Sequence, residues 1–240
     1  MIPSQFNRSV RAMGEAAFAQ LQKTRVILFG TGGVGSWCAE ALIRTGIGHI
    51  TLVDSDVVEP SNINRQIPAT PTTIGQSKAQ TLSLRLKEIA PAAEVHHRME
   101  RYTPDSAPQF PLSDYHYIID AIDSVPDKIH LIRESLASEA TLLSSMGAAL
   151  KKDPSRIRLS TMKKTHGCPL AKVVRKQLRA QRIPLDFTVV FSDEPGKNME
   201  TSLEESGNGS LVHITGIFGF TLAGALITNC VGGSYETDHN

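Results

Sequence analysis

The chain has 240 residues, 40% hydrophobic and 20% charged, a balance that supports a packed core and excludes global disorder. Its 25 Lys and Arg nearly match its 24 Asp and Glu, which excludes a uniformly cationic nucleic-acid binder. Three cysteines without a CxxC pair exclude a disulfide scaffold and a four-cysteine zinc site within one chain.

Such a length fits one domain with elaborations, divided into a nucleotide-binding half (1–150) and a basic crossover segment with a C-terminal helix (151–240). Few, scattered thiols and an N-terminus without an apolar signal region lead us to expect a cytoplasmic protein. Residues 8–23 carry an apolar stripe (Ala16, Ala17, Phe18, Leu21) that predicts a helix. Residues 25–29 form a short apolar run ending at glycines, the pattern of a buried parallel strand. A helix over 35–44, a stop at 46–48 and a strand over 49–53 ending at Asp54 complete a βαβ unit. The polar stretch 56–73 is long for a loop in a compact domain, and such loops are usually functional. Next come a helix over 78–89, strands over 94–98, 115–120 and 141–145, and a helix over 127–138. Residues 157–161 and 187–191 offer further strands, and 212–231 the last long element. The fold class expected is α/β, with a Rossmann-like, doubly wound and mostly parallel sheet.

Gly30-Thr31-Gly32-Gly33-Val34-Gly35 fits GxGxxG with one extra glycine. Gly30 permits the tight turn, Gly32 and Gly33 let backbone N–H groups approach phosphate, and Gly35 lets helix and strand pack closely. The helix N-terminus behind them adds partial positive charge. Asp54 follows Gly30 by 24 residues, where a carboxylate can accept from ribose hydroxyls.

The polar loop supplies Asp56, Asn62, Arg65 and Gln66; Lys78 opens the next helix, and Asp123 lies just beyond the fourth strand. Loops after parallel strands gather at one sheet edge, beside the phosphate loop. Two cations, an amide and a carboxylate there suit a triphosphate with Mg²⁺: Arg and Lys grip phosphate oxygens, and a carboxylate anchors the metal. Hydride transfer needs none of this. His96 and His97 fall in a strand that alternates them between faces, a poor geometry for chelation, and Trp37 reads as helix–sheet packing.

GxGGxG, DxDxVxxSNxNRQ, GxxKA and DAIDS in combination resemble the ThiF-type, ubiquitin-activating-like adenylyltransferases, closely over residues 6–150. GGVGSW, ALIRTGIGHITLVD and YIIDAIDSV are most similar to the tRNA threonylcarbamoyladenosine dehydratase branch. So are the Pro-Leu-Ala segment at 169–171 and the late Phe-Gly-Phe at 218–220. The resemblance implies ATP binding, adenylylation of a carboxylate, release of diphosphate and a tRNA substrate. It assigns ribose to Asp54, triphosphate to Arg65 and Lys78, and Mg²⁺ to Asp123, with Asp56, Asn62 and Gln66 lining the site. It also implies a homodimer in which an N-terminal arginine, Arg8 or Arg11, reaches the partner's ATP, and it admits sulfur-transfer protein partners. The alternative within the family is activation of the C-terminus of a ubiquitin-like or sulfur-carrier protein. The absence of CxxC motifs counts against it. A non-catalytic nucleotide-binding scaffold is the third alternative, disfavoured by Arg65, Lys78 and Asp123 together. Cys168 is the one thiol in the crossover region, and the 205–210 stretch has none where branch members can carry one.

Near-neutrality conceals segregation. Residues 151–182 hold 11 Lys and Arg against one acid, and 183–205 hold six acids against one Lys. Lys163, Lys164, Lys172, Arg175, Lys176, Arg179 and Arg182 are the candidate RNA contacts, with Arg175, Arg179 and Arg182 spaced to share a helix face. Residues 211–231 carry no charge and are long enough to span a bilayer. His213, Asn229 and the lack of Lys or Arg anchors favour a buried core or dimer-interface helix over a membrane anchor.

Overall fold

The computed structural model describes residues 2–196 and 208–233. The acidic stretch from 197 to 205, the thiol-free positions 205–207, and Glu236 and Asp238 lie outside these residues.

Two short helices, α1 (Asn7–Met13) and α2 (Glu15–Lys23), precede the sheet. The single helix expected over 8–23 is therefore divided. Gly14, at φ 85°, lies outside the helical region and breaks the hydrogen-bond ladder there. Strand β1 (Arg25–Phe29) leads through the glycine loop into α3 (Gly35–Thr45), and β2 (His49–Val53) follows. After the polar loop come α4 (Lys78–Ile89), β3 (Glu94–Arg98), β4 (Tyr117–Asp120), α5 (Val125–Ala137) and β5 (Thr141–Ser145). The second half adds β6 (Ile157–Thr161), α6 (Pro169–Ala180), β7 (Thr188–Ser192) and α7 (Val212–Cys230). The seven strands run β3-β2-β1-β4-β5-β7-β6, all pairs parallel except β6 with β7. The second half thus extends the sheet of the first. Helix α5 begins two residues earlier than expected because Pro126 is well placed in a first helical turn. Strand β4 begins two residues later than expected, and β7 is shifted by one residue.

A hydrophobic core covers each sheet face. One holds α3 and α7, which pack against each other through Cys38, Leu42, Phe218 and Leu222. A Cβ on Gly219 would lie 2.8 Å from the Cys38 backbone nitrogen, so only glycine allows this approach of the two helices. Trp37 stacks edge-on against Phe220 with ring centroids 5.7 Å apart. It therefore packs helix to helix, not helix to sheet. Helix α7 is, among the described residues, long and apolar enough to cross a membrane, yet half of its apolar window is buried inside the fold.

Candidate active site

The parallel strands β1 to β5 end on one edge, and there a cavity of about 610 Å³ opens. Its walls come from the glycine loop, the exits of β1 to β5, the start of α4, Leu170 in the first turn of α6 and Thr215 of α7. The size suits a nucleotide-scale ligand.

Gly30 has φ 89°, and a Cβ there would lie 2.6 Å from the Ala121 carbonyl oxygen. Only glycine lets the loop bend this close to the β4 exit. Asp54 secures the loop: its Oδ2 accepts from the Thr31 backbone N–H at 2.6 Å and the Thr31 hydroxyl at 2.9 Å. Its Oδ1 accepts from the Asp56 N–H at 2.9 Å. The carboxylate expected to meet ribose is therefore also the clamp of the glycine loop.

A two-stranded pin holds the polar loop against α4. Val57 bridges Ser77, and the Lys78 N–H donates to the Asp56 carbonyl at 3.0 Å. Ser77 caps α4, its hydroxyl accepting from the Gln80 N–H at 3.3 Å. Lys78 Nζ then reaches Asp56 Oδ2 at 2.9 Å, with the lysine buried and the carboxylate exposed. Arg65 is half-buried; its Nη1 donates to the Ser61 carbonyl and Asn64 Oδ1, both at 2.8 Å. Its own carbonyl accepts from the Trp37 indole at 3.0 Å. Gln66 is buried beside Gly32, and among the described residues its Oε1 has no hydrogen-bond partner. Asp123 is exposed on the loop between β4 and α5.

The cavity therefore gathers Gly30, Gly32, Gly33, Asp54, Asp56, Arg65, Gln66, Lys78 and Asp123. It does not gather Gly35 or Asn62. Gly35 lies buried behind the loop, where a Cβ would collide with the Gly30 carbonyl oxygen. Asn62 is buried because its Oδ1 accepts from the Glu59 N–H at 3.1 Å, folding the short turn Pro60–Asn62 that aims Arg65. Cys168 is buried against Gly147 and is absent from the lining.

Arg101 is a lining residue that motif reasoning missed. Its Nη2 lies 2.7 Å from Asp127 Oδ2, joining the β3 exit to the first turn of α5 across the Asp123 loop. Its place three residues beyond β3 was the available signal, since strand exits build the site.

The basic segment is less uniform than its charge count. Lys163, Lys164, Lys172, Lys176, Arg179 and Arg182 are exposed. Arg175 is not a free cation: its Nη1 donates to the Thr165 carbonyl at 2.7 Å and to the Thr165 hydroxyl. Arg182 lies past the end of α6 at φ 58°, so it does not share the helix face of Arg179. Lys151 is buried, its Nζ donating to the Glu194 carbonyl. Arg156 and Arg158 pair with Asp193 at 2.6 and 3.0 Å. Burial pushes the Asp193 carboxyl up, but these two guanidiniums outweigh it and hold the pKa below the ordinary carboxylate value. What remains on α6 is Lys172, Lys176 and Arg179, at spacings of four and three on the exposed side opposite Ala171, Val174 and Leu178.

The ThiF family model matches residues 6–234. The chain belongs to the ThiF family. It is 43% identical over 205 residues to the tRNA threonylcarbamoyladenosine dehydratase of Bacillus subtilis, covering 85% of this chain and 81% of that one. The Escherichia coli enzyme TcdA, solved with AMP, superposes with a TM-score of 0.89 at 34% identity, over 95% of this chain and 94% of that one. TcdA solved with ATP gives 0.86 at the same identity and coverage. The likeness thus runs well beyond residue 150, through the basic segment.

Proposed function

We propose that the chain is an ATP-dependent dehydratase that cyclises N6-threonylcarbamoyladenosine in tRNA. The observation that carries this is the convergence of Arg65, Lys78 and Asp123 on one cavity beside a phosphate-binding glycine loop. It stands in a chain 43% identical to such a dehydratase.

The threonyl carboxylate attacks the α-phosphorus of ATP, the bond to the β-phosphate oxygen breaks, and diphosphate leaves. Glycine-loop N–H groups and the N-terminus of α3 bind phosphate oxygens. Lys78, released from Asp56 by a stronger anion, and Arg65 bear the negative charge that develops on the departing diphosphate. Asp54 holds the glycine loop and accepts from ribose. The carbamoyl group of the same side chain then attacks the acyl carbon, and AMP departs with one carboxylate oxygen. That oxygen, with the protons shed in the closure, makes up the water lost. Ring closure is intramolecular, so holding the two groups together supplies much of the acceleration, and no enzyme nucleophile is needed.

The donors fit Mg²⁺. Asp123 offers exposed carboxylate oxygens at the cavity wall, and Mg²⁺ takes one or two carboxylates with phosphate and water completing its shell. Bound there, it would neutralise phosphate charge. Lys172, Lys176 and Arg179 would hold tRNA phosphates, on a helix that starts beside cavity-lining Leu170. Arg8 and Arg11 are exposed on α1 and do not line the cavity, which suits a role in a second copy's site.

The test is ATP–diphosphate exchange with threonylcarbamoylated tRNA, followed by mass analysis of the nucleoside. Exchange with loss of one water is expected. Exchange stimulated only by a carrier protein with a flexible C-terminus would replace this function with the other one.

A further inference from the structure

Lys128 is fully buried, with no exposed side-chain surface, and takes no part in the chemistry above. Its Nζ donates to Asp120 Oδ2 at 2.7 Å and to the Ser145 carbonyl at 3.0 Å. Asp120, equally buried, accepts at the same Oδ2 from the Ser144 hydroxyl at 2.6 Å. Its Oδ1 accepts from the Ile122 N–H at 3.1 Å. One ammonium and one carboxylate thus tie together the end of β4, the end of β5 and the first turn of α5.

A buried ion pair is weak evidence for stability, because desolvation offsets most of the attraction and apolar side chains of equal volume often serve as well. What apolar side chains lack is direction. These bonds are directional, and each tied segment runs straight into the cavity wall. Beyond Asp120 lie Ala121 to Ser124, including Asp123; beyond Ser145 lie Met146 to Ala149. The bond from the Ile122 N–H fixes the backbone one residue before Asp123. Lys128 itself is anchored by its N–H to the Ser124 carbonyl at 2.9 Å, at the far end of the same loop.

We infer that Lys128 and Asp120 are positioning residues, which hold the Asp123 loop and the β5 exit in one fixed relation across the cavity floor. The nucleotide is gripped mainly elsewhere, by the glycine loop, Asp54 and Lys78. Loosening the floor should therefore misplace reacting groups more than it weakens ATP binding. The inference rests on the proposed activity for its kinetic readout only.

Removing one charge leaves the other buried alone and threatens folding, so the informative variant is Asp120→Asn with Lys128→Met. It should unfold cooperatively and keep KM for ATP within about threefold. Its kcat for diphosphate exchange should fall by about tenfold or more, as displacement of reacting groups does. Amide hydrogen exchange at Ile122 and Met146 should quicken. Wild-type kcat, or wild-type amide exchange, in the folded double variant overturns the inference. Should that variant fail to fold, Ser144→Ala removes one directional bond and keeps the ion pair. A kcat lowered by about threefold at unchanged ATP KM supports positioning, and an unchanged kcat overturns it. If the wild-type chain shows no diphosphate exchange at all, the proposed activity fails, and the amide-exchange comparison alone decides the role of Lys128.

Discussion

The two halves of the chain handle their cations differently. In the nucleotide half, Arg65 and Lys78 are held in place at one cavity. In the second half, 11 Lys and Arg crowd residues 151–182, yet Lys151, Arg156, Arg158 and Arg175 are spent on internal partners. Placement by strand exits makes a cation functional, whereas a high local count chiefly shows that a surface exists. Lys128 extends the contrast, as a cation of the first half that never meets solvent.

The largest effect expected is at Lys78. Lys78→Ala should lower kcat for diphosphate exchange by about 10²- to 10³-fold, the range for removing one preorganised charge donor; a loss below about tenfold would remove Lys78 from the reacting centre. Next is the exposed α6 row. Replacing Lys172, Lys176 and Arg179 together with Glu should weaken tRNA binding by about tenfold or more and flatten its salt dependence by about three charges. ATP affinity, measured by calorimetry, should not change. Arg101→Ala should raise KM for ATP by about three- to fivefold, since the guanidinium stays largely in water and such pairs are worth little each; steady-state kinetics would show it.

Asp193→Asn sharpens the comparison from the opposite side. Releasing Arg156 should steepen the salt dependence of tRNA binding by about one charge. The same residue gives a pH prediction. Its folded pKa is depressed, so its stabilisation is present above the ordinary Asp value and is lost as pH falls through the folded value. The gap in thermal midpoint between wild type and Asp193→Asn should therefore close on acidification. Smallest in binding is Arg175→Ala. It should cost about 1–2 kcal/mol of stability through the lost bonds to Thr165 and leave tRNA affinity within about twofold, the reverse of what charge counting predicts.

Strands β1 and β2 are legible because a buried parallel strand reads as a short apolar run between breakers. Gly14 was not read as a break because an isolated glycine inside a helical stripe carries no sign of its backbone angle. Within the cavity, Lys78 and Asp123 could be placed because parallel strands end on one edge. Asn62 shared the same motif but serves the turn beneath Arg65, a distinction that spacing does not encode. Lys128 gave no signal, since a lysine in a helical first turn looks the same in sequence whether it faces solvent or Asp120. The bonding of Arg175 to Thr165 is hidden for the complementary reason: it depends on a fold-specific approach of two segments ten residues apart.

The central claim is that this cavity activates a carboxylate on tRNA. The most direct measurement supplies the chain with ATP, Mg²⁺ and threonylcarbamoylated tRNA, and follows diphosphate release together with the mass of the modified nucleoside. One diphosphate released and one water lost per nucleoside converted is the expected result. Diphosphate release with the nucleoside mass unchanged would contradict it.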